Sequence, residues 1–155
     1  MYLLLLALLT TNPVSHQGSV VQQPKHSEAV NDAFITSLLD RVSYARLMAA
    51  HYPTTTKAPQ AGSGRMVSFS HGVNKFTCFK SPDNTFPASF TITSSEPLLA
   101  PVLTLGSTKS AILKRLGISR SLDILQVSNL EAMALVTLYF QNDKLAKVTY
   151  GATID

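Results

Sequence analysis

At Arg65 the hydrophobic rhythm of the chain changes from a helical period to a period of two, and that change dictates the kind of fold. Met66–His71 and Asn74–Lys80 alternate apolar and polar residues on either side of Gly72-Val73. A glycine at the first central position suits a two-residue type II′ hairpin. That turn pairs Val67 with Cys78 and Phe69 with Phe76, placing all four on one face and Cys78 in the core. Ala88, Phe90 and Ile92 alternate with Ser89, Thr91 and Thr93 and predict a third strand. Leu122–Val127, Met133–Phe140 and Leu145–Tyr150 predict three more, with Asn142-Asp143 as the turn between the last two. Lys147 interrupts one face of that final hairpin in either register. Between the two sets of strands, Gly106–Gly117 breaks the β pattern. Ser107 or Thr108 can cap a short helix with Ala111, Ile112, Leu113 and Leu116 on its apolar side, and Gly117 supplies a left-handed stop.

Ahead of Arg65, Val30, Phe34, Leu38, Val42, Ala45 and Met48 recur at three- and four-residue steps and predict one helix from Ser27 to about His51. Ser27 is the expected N-cap, Pro53 stops the helix, and His51 at its C-terminus reads as structural. Further upstream, Leu3–Leu9 holds six leucines and one alanine. A run this short matches the apolar region of an export signal and falls well below the ~20 residues of a membrane span. The organisation expected is a signal peptide over 1–12, a linker over 13–26, a helix over 27–52, a loop or linker over 53–64, and a domain over 65–155. The fold class is α+β: an antiparallel sheet of about six strands packed with one long N-terminal helix and one short helix. Strands and helices do not alternate, which argues against a doubly wound parallel sheet.

With 45% hydrophobic and 14% charged residues, the 155-residue chain can fill a core and is too apolar for disorder. Its formal charge of +4 comes from basic residues scattered between Lys25 and Lys147, whereas nucleic-acid binders cluster theirs. Cys78 is the only cysteine, so no disulfide forms within the chain and no lipidated cysteine follows the leucine run.

No catalytic, cofactor-binding or metal-binding residue is assigned. Gly106-Ser107-Thr108-Lys109-Ser110 lacks the first glycine and the Gly-Lys spacing of a phosphate-binding loop. Ser110 and Lys114 are four apart and read as a solvated helix face, not as the S-x-x-K of penicillin-binding enzymes. His71 falls opposite Asn74, several residues along the ladder from Cys78, so no thiolate–histidine pair is expected. His16, His26, His51 and His71 are too dispersed for zinc. Asp123, Glu131 and Asp143 fall at turns and strand ends without a privileged pair. Phe79, on the face opposite Phe76 and Cys78, is either a contact residue beside Lys75 and Thr77 or buried under the long helix. Burial is the expectation.

Gly106-Ser107-Thr108-Lys109, Ile112 and Leu116-Gly117 resemble the G-[MS]-[ST]-K-x-x-h-x-x-x-L-G segment of small bacterial envelope proteins. These are the SmpA/OmlA (BamE-like) assembly lipoproteins and domains like β-lactamase inhibitor protein. The final strands are similar too: Tyr139-Phe140, a polar turn over Gln141–Lys144, then Leu145 and Val148. The resemblance covers residues 103–150. It implies a periplasmic or secreted, non-catalytic domain that binds or scaffolds another envelope protein; the scattered charge, the absent motifs and the short leucine run add the expectation of no nucleic acid, no cofactor and no membrane span. An enzyme inhibitor or immunity-type protein, and a small hydrolase with an unrecognised site, are the alternatives.

Overall fold

The computed structural model describes residues 28–57, 64–119, 121–129 and 133–152. The leucine run, the linker after it, the expected cap Ser27, His16, His26 and Glu131 lie outside these residues. Helix α1 spans Glu28–Arg41 and buries Asn31, Phe34, Ile35 and Leu38 at three- and four-residue steps. The expected single helix bends at Val42-Ser43, where Ser43 is extended (φ −60°, ψ 152°) and takes the N-cap position of a second segment, α2, Tyr44–Ala49, without a side-chain capping hydrogen bond. The bend resets the helical phase. Val42 is buried as expected, but Leu47 takes the next core position, leaving Ala45 and Met48 exposed. Val30 also departs from the predicted stripe. It lies one step off the buried face and is exposed. His51 ends the helical region at φ 56°, in the left-handed conformation of a helix stop.

The strands are β1 Thr54–Lys57, β2 Arg65–His71, β3 Asn74–Lys80, β4 Thr85–Ile92, β5 Ile124–Ser128, β6 Ala134–Gln141 and β7 Lys144–Ala152. Helix α3, Lys109–Arg115, separates β4 from β5. The α+β class holds, with seven strands where about six were expected. The additional one, β1, lies within 53–64. All four of its side chains are exposed, so it carries no alternation to read. The sheet is antiparallel with order β1-β2-β3-β4-β7-β6-β5.

The first hairpin has the predicted register, with Val67 opposite Cys78, Phe69 opposite Phe76, and Gly72 at φ 58°. In the last hairpin Asn142 and Asp143 take φ 50° and 57°, the pair of positive values that a type I′ turn requires. A bulge there settles the problem of Lys147. Phe140 pairs with Leu145 and Tyr139 with Lys147, leaving Ala146 as the extra residue. Leu145 and Val148 therefore both reach the core while Lys147 points the other way.

The pairing order also exposes a repeat. β2-β3-β4 and β5-β6-β7 are two meanders joined through β4 and β7. Each follows a short helix that ends in a left-handed residue, His51 after α2 and Gly117 (φ 68°) after α3. The α3 stop is a Schellman motif, with Ile118 N–H donating to Leu113 O and Gly117 N–H to Lys114 O. Phe90 and Tyr150 pair across the junction and stack with centroids 5.2 Å apart, which marks the approximate two-fold centre of the repeat.

The core sits between the helices and one sheet face. Phe34, Leu38, Val42 and Leu47 pack with Ile112, Leu113 and Leu116 of the α3 region and with the inward residues of β2 to β7. α1 crosses β5 and α2 lies on β4. Ala111, predicted on the buried side of α3, is exposed.

Candidate partner-binding face

Side chains alternate across a strand, so the registers that bury Val67, Phe76, Phe90, Tyr150, Val136 and Val127 fix what the opposite face presents. One row runs Thr55, Ser68, Thr77, Ser89, Gly151, Leu135, Ser128 across all seven strands. The next runs Ser70, Lys75, Thr91, Thr149, Thr137, Gln126. Larger groups stand at two ends. Lys57, Met66, Phe79 and Phe86 form one, and Lys147, Tyr139 and Ile124 the other. Phe79 and Phe86 are in contact, centroids 5.2 Å apart, and the Lys147 ammonium lies 5.0 Å from the Tyr139 ring centroid. Ser68 and Thr77 hydroxyls are 3.4 Å apart. None of the seven strands contains Asp or Glu.

Phe79 corrects an expectation. It is not under the long helix, because the helices roof the other face. It is half-buried against Phe86 and the backbone of Gly64, where a Cβ would collide with the Phe79 ring. Lys75 and Thr77 are its companions on this open face.

The polar groups on the helix side close on themselves. Glu96, its side chain 1% exposed, accepts the Tyr52 hydroxyl at 2.6 Å and the Leu98 amide at 3.3 Å through Oε1. Its Oε2 lies 3.1 Å from both Asn74 Nδ2 and His71 Nδ1. Asn74 in turn accepts the Thr93 and Ser94 amides, each at 3.0 Å. Tyr52 stacks on His71, and burial, with the hydrogen bond and charge of Glu96, raises the pKa of its hydroxyl well above the tyrosine range. This network ties the α2–β1 link, the first hairpin and the β4–α3 loop together. Its members are scattered single residues, and no spacing in the sequence announces them.

Lys109 is the other closed group. Its ammonium is 2.9 Å from both Asp143 and Asp123, whose hydrogen bonds raise its pKa. The two acids that the sequence left unpaired therefore meet across a lysine. The surrounding motif is explained by the same contacts. Gly106 N–H donates to Leu145 O, Leu145 N–H to Ser107 O and Lys109 N–H to Asp143 O, stitching the segment before α3 to the last hairpin. An open groove of about 710 Å³ beside α3 is lined by Ser110, Lys114 and Lys144, and its buried cation is this committed Lys109.

Cys78 is fully buried, which pushes its thiol up to about 11, and the ladder sets it away from His71. Among the described residues, no three His, Cys, Asp or Glu side chains converge to hold a metal, and no helix is long and apolar enough to cross a membrane. No protein-family model, curated protein or solved structure matches the chain. The fold and the site define an α+β protein whose sheet is roofed by helices on one face and, among the described residues, carries no helix on the other, where Thr137 is the one buried member of the two hydroxyl rows.

Proposed function

We propose that this is a periplasmic or secreted, non-catalytic domain that binds or scaffolds another protein of the bacterial cell envelope through the open sheet face. The observation that carries the reading is the one-sided roof: a seven-stranded sheet with short hydroxyl side chains across its bare face and aromatic groups at two ends. At ~4.8 Å between strands and ~3.4 Å per residue, that face spans about 30 Å by 20 Å. Such an area approaches the ~800 Å² that one partner contributes to a standard interface. Phe79, Phe86 and Tyr139 are the residue types that anchor such contacts. The leucine run at Leu3–Leu9 and the resemblance over 103–150 support the envelope location.

Photo-crosslinking residues placed at Thr77 and Thr149, in the middle of the face, and at Ala111, on the helix side, test the reading in cells. The face positions should give a discrete crosslinked species in the envelope fraction, and Ala111 should not. Crosslinking from Ala111 alone, or recovery of the full-length chain from the cytoplasm, would refute it.

A further inference from the structure

We propose that the partner presents an acidic protein surface, read by Lys57, Lys75 and Lys147; this rests on the open face being the interface. The carboxylates of the described residues are kept off that face. Glu28, Asp32 and Asp40 are on α1, Asp83 is in the β3–β4 turn, Glu96 is in its closed network, and Asp123 and Asp143 hold Lys109. Lys57, Lys75 and Lys147 all point outward from the sheet, and among the described residues none has a carboxylate at ion-pair distance. Their charge is therefore left to solvent within the fold and is available to an acidic docking surface.

The spacing of the lysines distinguishes an acidic protein surface from a nucleic acid. They stand on β1, β3 and β7, the first, third and fifth strands in spatial order. Counting rows and strands at ~3.4 Å per residue and ~4.8 Å per strand puts them along one diagonal, about 17 Å and 12 Å apart. Duplex DNA carries a charge every ~1.7 Å of its axis, so three cations this far apart neutralise little of it. Separated carboxylates on a folded protein match the diagonal. The Ser and Thr side chains between the lysines are short enough for close approach. The aromatic residues at each end supply apolar anchors suited to the side chains of a protein partner.

The test measures binding of the intact protein to a 20-residue poly-L-glutamate, with phosphatidylglycerol vesicles and duplex DNA as competing probes. It compares wild type with Lys57→Glu/Lys75→Glu/Lys147→Glu and with Arg41→Glu/Arg46→Glu/Lys114→Glu, which makes the same charge change on the helices. A Lys→Gln triple at the face serves if the Glu triple does not fold. Polyglutamate should bind in a salt-dependent manner and lose about 100-fold or more in affinity in the face variant, with less than about threefold loss in the helix variant. Equal losses in the two variants, or tighter binding to vesicles or DNA than to polyglutamate, would overturn the proposal. Crosslinking at Thr77 and Thr149 that persists unchanged in the face variant would overturn the role of the lysines and leave the interface standing. Absence of crosslinking from the face would remove the interface itself.

Discussion

Replacing Glu96 with glutamine keeps the shape of the side chain and changes only its charge and its donor pattern, so it isolates the closed network. With the new oxygen toward Tyr52 and Leu98, the new amino group faces Asn74 Nδ2, donor against donor. Asn74 cannot turn its amide to compensate, because its oxygen already accepts from Thr93 N, Ser94 N and Ser94 Oγ at 3.0, 3.0 and 3.1 Å. The reverse placement sets the amino group against the Tyr52 hydroxyl and the Leu98 amide. In the first orientation Asn74 Nδ2 keeps only its longer bonds to Ser94 O and Ser95 O, at 3.3 and 3.4 Å, and in the second the Leu98 amide loses its acceptor; either costs about 1–3 kcal/mol, and the remaining bonds lose charge assistance worth about 1 kcal/mol. The expected destabilisation is about 3 kcal/mol, or about 10 °C in Tm for a domain of this size. Urea unfolding should show a lower midpoint with an unchanged slope. Tyr52 gives a second signal. Its ionisation is raised first by burial and then by Glu96, so near-ultraviolet titration should find it ionising earlier in the variant. His71→Ala should lose under about 1 kcal/mol, because that side chain is 43% exposed. A Glu96→Gln protein within about 0.5 kcal/mol of wild type, with Tyr52 unchanged, would refute the closed network.

Five other substitutions, in three sets, test separate features of the fold. Cys78 has its thiol raised from 9.0 to about 11, so the fold favours the protonated form; the stability it contributes is complete below about pH 9 and is lost as pH rises through about 11. Cys78→Ala should therefore flatten the fall in stability over that interval in urea titrations at stepped pH. Gly117→Ala should lower stability by about 1 kcal/mol, since its φ of 68° is left-handed and no atom lies near enough for a steric effect. His51→Gly, at φ 56°, should raise it by about 0.5 kcal/mol, both read by thermal unfolding. Leu38→Ala, at a fully buried position, should lose about 2–5 kcal/mol, while Val30→Ala should change stability by under about 0.5 kcal/mol. A loss above about 1 kcal/mol for Val30→Ala as well would return the helix to the stripe read from its sequence, in which both residues are buried.

The parts of the fold legible in the sequence are those governed by local rules. The first hairpin follows from Gly72 and the alternation around it, and the α3 stop follows from Gly117. Where packing overrides a local rule, the reading fails. The Val42-Ser43 bend is made by tertiary contact of Val42 and Leu47, and Ser43 inside a periodic stripe gives no warning of it. β1 is stabilised by pairing to β2 and buries nothing, so its Thr-rich sequence looks like loop. Lys147 defied both simple registers because the true pairing contains a bulge, which period counting cannot represent. The open face was visible only in fragments, as the polar partners of each apolar strand residue. Its extent needed the strand order, and above all the β4–β7 junction between segments some sixty residues apart.

That junction also explains why one face is bare. The centre at Phe90 and Tyr150 relates the two meanders by a rotation about an axis normal to the sheet. Such a rotation exchanges strands without exchanging faces, so the helices of the two halves fall on the same side. The other side must tolerate water without a second helical layer. Thr and Ser meet that need, because threonine favours the extended backbone while its hydroxyl remains hydrated. The same rotation carries Thr77 onto Thr137 and Phe79 onto Tyr139, as counting along β3 and β6 from their partners Phe90 and Tyr150 shows. It carries Lys75 onto Leu135, however, and nothing in the symmetry or the core calls for that difference. Thr77 and Thr137 thus keep a hydroxyl in both halves, while Lys75 and Leu135 do not match. The charge-reversal experiment is aimed at the lysines and not at the threonines because the lysines alone carry charge that a partner can read.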